Sequence, residues 1–333
     1  MILITGATGC LGANLVRALL AQGQSVAALR LRDDSAQALL DVADRIDWRV
    51  GDLLDHASLD AAMQGISHVY HVAGLALPYE RERARMMQIN VQGTDNLLAA
   101  AMRAGVRRVV YVSSIAAVGY PDGVADESMV YNGDRIAFSY MHSKHAAEAV
   151  VRRHVQRGLA VVSVCPAAVI APYCDREHGW GRVFLDVLHR RMPIEPPGGI
   201  AVLGSADLVQ GLQAAMTKGQ PGERYIIASQ NVSYRELLAT IAAAVAVRPP
   251  RLRISRSVMR SLVRLLGAVR PLQERIAPHA RISAGVLDLM WRNKFYSTAK
   301  AEQQLGFRGC QSLRDCVDET WAWLKSATRS GHT

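Results

Sequence analysis

Short apolar runs alternate with longer amphipathic stretches through the first half of the chain. The apolar runs predict strands at Ile2–Thr5, Val26–Leu31, Arg49–Val50, His68–Val72, Val109–Val112 and Val161–Cys165. The stretches between them predict helices at Gly12–Ala21, Ala57–Gln64, Asn90–Ala104 and Tyr140–Gln156. Because strands that are apolar on both faces are typical of parallel sheets covered by helices, the pattern predicts an α/β, doubly wound parallel sheet.

The pattern loosens after Pro172, where proline and glycine clusters interrupt the chain. Ser233–Val245 is a predicted helix with Ser233 as its N-cap. Ser257–Val269 is a second one, with apolar residues on one face and arginines repeating every four residues on another. We therefore expect residues 1–172 to form the sheet domain, with returning segments from the C-terminal half. Residues 173–330 are expected to form a smaller lobe over the carboxyl ends of the strands, where ligands of open α/β sheets bind.

Three glycines at a spacing of three residues follow the first predicted strand directly. Residues 5–12 read TGATGCLG, with Gly6, Gly9 and Gly12 between the strand and the next helix. Glycine permits a tight turn and lets backbone N–H groups approach a pyrophosphate, and the helix N-terminus adds a partial positive charge. The turn therefore predicts dinucleotide binding at the start of the sheet.

Arginine occupies the end of the second predicted strand, where a site for NAD(H) usually carries an acid. Arg30 falls at that position and Arg32 flanks it. Because a guanidinium suits a 2′-phosphate better than a free hydroxyl, we favour NADP(H) as the cofactor. NAD(H) stays possible, since Asp33 or Asp34 could turn toward the ribose.

A phenol and an ammonium lie four residues apart on one face of the fourth predicted helix, at Tyr140 and Lys144. A nearby cation stabilises a phenolate and lowers the pKa of tyrosine, which suits it for proton transfer. Ser113 and Ser114 end the Val109–Val112 strand, at the edge where a substrate oxygen would lie. Either serine could polarise a carbonyl beside the tyrosine.

These features together resemble the extended short-chain dehydrogenase/reductase superfamily, in its NAD-dependent epimerase/dehydratase group. The resemblance implies a Rossmann-type sheet with a smaller C-terminal substrate-binding lobe, and an acid/base pair of Tyr140 and Lys144. Aligned on Val118, the family's catalytic serine falls on Ser114, with Ser113 as the alternative. The family's Asn-Pro is replaced by Cys165-Pro166, and its following Gly-Pro by Ala171-Pro172.

The family's cofactor contacts carry over residue by residue onto this sequence. The pyrophosphate side comprises Thr8, Gly9, Cys10 and Leu11, and the adenine side comprises Asp52 and Leu53. Ala73, Gly74 and Leu75 line the ribose side, with Asn90 behind them. Val112 and Ser113 back the nicotinamide, Pro166, Ala167 and Val169 close over its carboxamide, and Lys144 binds its ribose.

The resemblance favours a ketone or aldehyde reductase or alcohol dehydrogenase, similar to dihydroflavonol reductases and 3β-hydroxysteroid dehydrogenases. The alternative is a nucleotide-sugar epimerase or dehydratase with bound NAD, near the hopanoid-associated sugar epimerases. That reading needs a diphosphate clamp, for which Arg182, Arg190 and Arg191 are the obvious candidates. A nucleotide-binding sensor without catalysis is a third reading, which the complete serine, tyrosine and lysine set disfavours. The apolar residues of the lobe suggest a hydrophobic substrate, or ordinary core: Trp180, Val183, Phe184, Leu185 and Trp291.

The net charge of +10 reflects 39 basic against 29 acidic residues, and it is concentrated between Arg248 and Arg281, where Glu274 is the single acid. No nucleic-acid-binding motif accompanies this stripe, so we expect no nucleic-acid partner. Contact with an anionic membrane stays open. The five scattered cysteines predict free thiols and no metal site.

The resemblance also implies a homodimer through a four-helix bundle, formed by Asn90–Ala104 and Tyr140–Gln156 of each copy. The chain shows no secretory leader before its first predicted strand, so we expect a cytoplasmic protein.

Overall fold

The computed structural model describes residues 1–133, 136, 138–174, 177, 179–268 and 284–329. The strands are β1 Ile2–Thr5, β2 Val26–Arg30, β3 Asp47–Val50, β4 His68–His71, β5 Arg108–Val112, β6 Gly123–Ala125, β7 Val161–Pro166, β8 Ala168–Val169, β9 Ile194–Glu195, β10 Gly199–Leu203, β11 Arg224–Ile227, β12 Gln230–Ser233, β13 Leu252–Arg253 and β14 Asn293–Tyr296. The helices of the first half are α1 Cys10–Ala21, α2 His56–Ala62, α3 Arg83–Met87, α4 Gly93–Arg103, α5 Ile115–Val118 and α6 Ser139–Gln156. Those of the second half are α7 Trp180–Leu188, α8 Ser205–Lys218, α9 Tyr234–Ala244, α10 Arg256–Ala268, α11 Ala284–Met290, α12 Ala299–Leu305 and α13 Leu313–Arg329.

Seven parallel strands form the main sheet, in the order β11-β7-β5-β4-β1-β2-β3. Successive residues of these strands point into opposite apolar layers. Leu3 and Val109 pack with α2, α4 and α6, whereas Ile4 and Val110 pack with α1 and α8. The predicted Rossmann-type, doubly wound sheet is thus confirmed, and each predicted strand boundary lies within two residues of the observed one.

The second sheet has the order β12-β10-β14-β6, with β8 paired to β10. The two sheets are interleaved along the chain: β6 and β8 precede residue 172 but join the second sheet, while α8 and β11 follow it and join the first. The division into domains at residue 172 stays a prediction. Apolar runs identify strands but carry no information on which sheet each one completes.

Helix boundaries differ from the prediction mainly at their N-termini. α1 begins two residues early because Gly9 is its N-cap. α4 begins three residues late because Gln88–Gln92 form a π-helical turn first. Ser233 is the N-cap of α9, where its hydroxyl accepts from the Glu236 amide at 3.1 Å. The predicted helix Ser257–Val269 is observed as α10, with Val269 outside the described residues. Among the described helices, none has the length and apolar composition to cross a membrane.

The turn between β1 and α1 depends on the absence of two side chains. Gly6 has a φ of +65°, and a Cβ there would lie 2.6 Å from the Ala73 Cα. A Cβ on Gly12 would lie 2.1 Å from the Gly6 carbonyl oxygen. In contrast, a Cβ on Gly9 would meet no atom closer than 3.6 Å. Gly6 and Gly12 therefore let β1, β4 and α1 converge at the carboxyl edge of the sheet.

We expect Gly12→Ala to lower the free energy of unfolding by at least about 2 kcal/mol, because the added methyl group displaces backbone rather than a flexible side chain. Gly9→Ala is the matched control and should change it by less than about 1 kcal/mol, since its methyl group has room. Urea unfolding followed by circular dichroism measures both. Equal losses in the two variants would contradict this account of the turn.

Candidate active site

A cleft of about 630 Å³ opens along the carboxyl ends of β1, β2 and β4. Twelve of the predicted cofactor residues line it: Gly6, Thr8, Gly9, Cys10, Leu11, Gly12, Arg30, Asp52, Leu53, Ala73, Gly74 and Leu75. The predicted residues outside its lining are Arg32, Asn90, Val112, Ser113, Tyr140, Lys144, Pro166, Ala167 and Val169. The cleft has the size of a small-molecule pocket and follows the sheet edge, as a dinucleotide requires.

The first turn of α1 suits a pyrophosphate. Its N-cap, Gly9, has no side chain to cap the helix, and the turn carries no acid. The free N–H groups at a helix N-terminus bind anions. Burial raises the pKa of the Cys10 thiol, which therefore stays neutral. The cradle formed by Gly6 and Gly12 thus fits a dinucleotide cofactor.

Arg30 and Asp34 share the far end of this cleft. The Arg30 Nη1 donates to the Asp34 carbonyl oxygen at 2.9 Å, and the guanidinium lies 5.2 Å from the Trp48 ring centroid. The Arg30 Nε is buried without a hydrogen-bond partner. The Asp34 carboxylate accepts a hydrogen bond from the Thr8 hydroxyl at 2.7 Å, so the Asp34 side chain points toward the glycine turn. Arg32 is exposed and lies outside the cleft lining.

The predicted adenine side of the cleft is held by hydrogen bonds to the backbone. The Asp52 carboxylate accepts the Leu54 amide at 2.9 Å and remains exposed at the surface. The Leu53 carbonyl oxygen accepts the Asn96 side-chain amide at 2.9 Å, which fixes the segment after β3 against α4. Both predicted adenine residues therefore have defined positions at the rim.

Asn90 fixes the loop after β4. Its side chain accepts the Leu75 amide at 2.7 Å, donates to the Leu75 carbonyl oxygen at 2.9 Å, and donates to the Ser143 hydroxyl at 2.9 Å. One amide thus joins the predicted ribose loop to α6. A Cβ on Gly74 would lie 3.2 Å from the Lys144 Nζ, so the lysine is adjacent to the cleft.

His71 is a buried structural residue, as its position at the end of β4 suggests. Its ring nitrogens form hydrogen bonds with the Thr5 hydroxyl at 2.8 Å and the Thr94 hydroxyl at 3.0 Å. Burial, together with the charge of Lys144, lowers the pKa of His71 to about 3. The imidazole is therefore neutral at physiological pH and holds β1, β4 and α4 together.

The Tyr140 and Lys144 side chains lie one turn apart at the start of α6. Lys144 is 5% exposed, and its Nζ donates to the Val112 carbonyl oxygen at 3.0 Å. Burial lowers the pKa of Lys144 to about 8. Burial also raises the pKa of Tyr140, while hydrogen bonding with the Ser114 side chain opposes that shift. Ser114, Tyr140 and Lys144 are thus brought together at the end of β5.

The two candidate serines have different surroundings. Ser114 is the N-cap of α5 and accepts the Ala116 amide at 3.1 Å, on the same side of the strand end as Tyr140. The Ser113 hydroxyl instead donates to the Glu148 carboxylate at 2.6 Å. Because the Ser113 hydroxyl is already hydrogen-bonded to this buried acid, the geometry favours Ser114 for contact with a substrate oxygen.

Glu148 is a site residue that the sequence analysis missed. It is 3% exposed, one turn beyond Lys144 on α6, and forms an ion pair with Arg224 of β11 at 3.1 Å. The Cys165 thiol donates to the same carboxylate at 3.5 Å. An acid four residues after Lys144 was a visible signal, since such residues share a helical face. Arg224 carried no signal, because nothing predicted that β11 joins this sheet.

The predicted carboxamide loop connects the two ends of the site. The Ala167 amide donates to the Ile227 carbonyl oxygen at 2.9 Å, and β8 follows directly. The Cys10 thiol and the Asn14 side-chain amide both donate to the Pro172 carbonyl oxygen, at 3.3 Å and 3.0 Å. These bonds hold the chain after β7 close to the glycine turn.

An apolar cluster lies on the lobe side of Tyr140. Its buried members are Ala116, Tyr120, Ile136, Met141 and Leu289, with Tyr140 packed against them. Phe184 of the Trp180–Leu185 segment is instead fully buried in the core of the lobe, which favours the ordinary-core reading of that segment. The apolar surface next to the phenol thus comes from α5, α6 and α11.

Comparisons with known proteins identify the family of this chain. Residues 2–228 match the sequence model of the NAD dependent epimerase/dehydratase family. The chain is 34% identical to "Sterol demethylase protein B" of Methylococcus capsulatus over 326 residues, which cover 97% of this chain and 98% of that protein. It is 32% identical, over 97% of its length and 94% of the other, to a Synechocystis sp. protein provisionally named dihydroflavonol 4-reductase.

Among solved structures, a nucleoside-diphosphate-sugar epimerase from Pseudomonas aeruginosa has a TM-score of 0.80 to this fold at 26% identity, covering 98% of this chain and 97% of that one. The family match covers the glycine turn, the cleft and the tyrosine–lysine helix. The chain therefore belongs to the NAD-dependent epimerase/dehydratase family of extended short-chain dehydrogenases/reductases, and it is an NAD(P)-dependent enzyme.

Proposed function

We propose that this enzyme is an NADP(H)-dependent oxidoreductase that reduces a ketone or aldehyde, or oxidises the corresponding secondary alcohol. One observation supports the proposal most directly: a cleft with an arginine at its ribose end and a complete serine, tyrosine and lysine set meet at one sheet edge. Arg30 lies in the cleft, and Gly74 of the same cleft adjoins Lys144. A reductase needs an exchangeable, phosphorylated cofactor, and the Arg30 guanidinium, whose Nε has no hydrogen-bond partner, suits its 2′-phosphate.

The chain's own residues would hold the cofactor along the cleft. The first turn of α1 binds the pyrophosphate, and Arg30 pairs with the 2′-phosphate. Asp52 and Leu53 contact the adenine, while the loop held by Asn90 contacts the ribose. When bound, NADPH supplies a hydride to the substrate carbonyl carbon.

Tyr140 acts as the acid in the reduction. Burial holds the pKa of this phenol above its usual range, so Tyr140 carries its proton at neutral pH and can donate it to the substrate oxygen. Ser114 hydrogen-bonds the same oxygen and polarises the carbonyl. Lys144, with a pKa of about 8, is mostly charged at neutral pH and stabilises the phenolate left behind.

The substrate is proposed to be apolar. The buried side chains of Tyr120, Met141 and Leu289 give Tyr140 an apolar environment, which favours an apolar substrate beside the phenol over a hydroxylated sugar. A sterol is an apolar polycycle, so the name of the Methylococcus relative supports the same class.

A nucleotide-sugar epimerase or dehydratase with bound NAD is the second candidate. Asp34 favours it, because its carboxylate lies in the cleft and could accept ribose hydroxyl groups. The surroundings of the predicted diphosphate-binding arginines disfavour the epimerase reading. Arg182 pairs with Asp186 at 2.9 Å, and Arg191 lies 4.0 Å from the same carboxylate. Two of the three predicted clamp arginines therefore lie next to an acid of α7.

The homodimer stays a prediction. On the outward side of α4 and α6, Ala99, Ala146 and Ala149 are half-buried small residues, which would let two copies of this helix pair approach closely. This surface is continuous with the Lys144 helix, so a dimer would also stabilise the site.

The two candidate functions separate in one experiment. The enzyme is mixed with NADPH or NADH and a panel of ketones, aldehydes and nucleotide sugars, and absorbance at the nicotinamide band is followed. Net oxidation of NADPH by an apolar ketone or aldehyde is expected. Conversion of a nucleotide sugar without net oxidation would overturn the reductase proposal in favour of the epimerase.

We expect Tyr140→Phe to lower kcat by about 10² to 10⁴-fold, because the substrate oxygen loses its proton donor. NADPH affinity, measured by fluorescence quenching, should change little. Ser114→Ala should lower kcat more than Ser113→Ala, since only Ser114 faces the substrate. The reverse order of the two serine variants would show that Ser113 makes the substrate contact.

We expect Arg30→Gln to raise the Kd for NADPH about tenfold or more, because a charge-assisted bond to the 2′-phosphate is lost. The Kd for NADH should stay nearly unchanged. Arg32→Gln is the matched control, since Arg32 lies outside the cleft. Titration by fluorescence or calorimetry measures the Kd of each variant for NADPH and for NADH. If Arg30→Gln weakened the binding of both cofactors equally, the proposed NADP(H) preference would be wrong.

We expect the rate of reduction to fall as pH rises through about 8, since Lys144 then loses its charge. The Glu148 carboxylate raises the pKa of Lys144, so Glu148→Gln should move this decline to lower pH and reduce kcat at neutral pH. Glu223→Gln removes an exposed, ion-paired acid on the same sheet edge and is the control. A lower kcat with an unmoved pH profile would mean that Glu148 acts only on folding.

A further inference from the structure

Helix α10 leaves one apolar side in solvent. Val258, Leu262 and Leu265 are 51%, 36% and 61% exposed, and their spacing of four and three residues places them on one side of the helix. Leu252, just before the helix, is 58% exposed. We call Val258, Leu262 and Leu265 the α10 apolar face.

The α10 apolar face is not the side by which the helix attaches to the protein. Met259 is buried, and Val263 and Leu266 are half-buried beside it, so the attachment lies along this adjoining strip. Leu262 and Leu265 lie next to this strip but are exposed, so the apolar side of the helix is wider than the part that the protein covers. A helix whose apolar side is wider than its buried contact is typical of one that lies on an interface.

The surroundings of this face are cationic. Residues 248–268 contain six arginines and no acid. Arg253 and Arg256 form ion pairs with Glu195 and Asp122, at 3.8 Å and 3.3 Å. With the acids that the structure describes, Arg251 and Arg264 form no ion pair within 4.0 Å, so their charge is available to an external anion.

The face is adjacent to the substrate side of the active site. α10 packs on α11, and Leu289 of α11 belongs to the apolar cluster that contacts Tyr140. A molecule held against α10 is therefore separated from that cluster by one helix.

We propose that α10 docks on a lipid bilayer with anionic headgroups. The α10 apolar face enters the boundary between headgroups and acyl chains, and the arginines of residues 248–268 bind lipid phosphates. A bilayer with anionic headgroups can accept a protruding helix that carries only positive charges. A protein partner would instead need an apolar groove with acids placed around the leucines. Only the link to substrate delivery rests on the proposed function: an apolar substrate dissolved in the bilayer would be close to the site.

Sedimentation of the full-length protein with vesicles tests the docking. Binding to vesicles of phosphatidylcholine mixed with phosphatidylglycerol is expected at low salt, with weaker binding at high salt and little binding to phosphatidylcholine alone. The double variant Leu262→Ser/Leu265→Ser should lower the partition coefficient about tenfold or more. Arg251→Gln/Arg264→Gln should lower it by a similar factor, and only for the anionic vesicles.

Matched controls carry the same changes elsewhere. Leu40→Ser removes an apolar side chain that is 54% exposed, and Arg314→Gln removes an exposed arginine. Neither should alter vesicle binding. All variants should keep the circular dichroism spectrum and the solution activity of the parent, since none lies in the site.

Failure of the parent to sediment with anionic vesicles at low salt would overturn the proposal. So would unchanged binding by the leucine variant, or a change in its oligomeric state without any vesicle binding, which would assign the face to a second copy. NADPH oxidation in solution is measured on the same samples. Intact NADPH oxidation without vesicle binding would mean that the docking proposal fails. Vesicle binding without NADPH oxidation would mean that the proposed function fails.

Discussion

The end of β5 is bound to α6 at two successive residues. The Lys144 ammonium binds the Val112 carbonyl oxygen at 3.0 Å, and one helical turn later the Glu148 carboxylate binds the Ser113 hydroxyl at 2.6 Å. This pair of bonds fixes how far along the strand the helix lies, and so where Ser114 stands relative to Tyr140. A shift by one residue would turn Ser114 to the opposite side of the strand.

Keeping these charges buried requires further partners. Glu148 is compensated by Arg224 of β11, and the Lys144 ammonium donates to the Val112 carbonyl oxygen and lies 5.2 Å from the Tyr111 ring centroid. Burial therefore lowers the pKa of Lys144 to about 8, within reach of physiological pH. The same low-polarity surroundings raise the pKa of Tyr140, so the acid keeps its proton until substrate and cofactor change its environment.

The cofactor cleft holds two opposed preferences at one end. Arg30 suits a phosphorylated ribose, and Asp34 suits a free one. Asp34 already accepts the Thr8 hydroxyl, whereas the Arg30 Nε has no hydrogen-bond partner. That balance supports the proposed preference for NADP(H).

The sequence by itself determined the parts of the protein that depend on neighbouring residues. Strand and helix periods predicted the parallel sheet, glycine spacing predicted the cofactor turn, and Tyr140 with Lys144 was recognisable because the pair shares one helical face. Contacts between distant segments were decided only by the tertiary structure. Three features have no local signature in the sequence. These are the position of β11 at the edge of the sheet, the ion pair of its Arg224 with Glu148, and the hydrogen bond of Ser113 to the same carboxylate. Periodicity records which side of an element is apolar, but not which element will cover it.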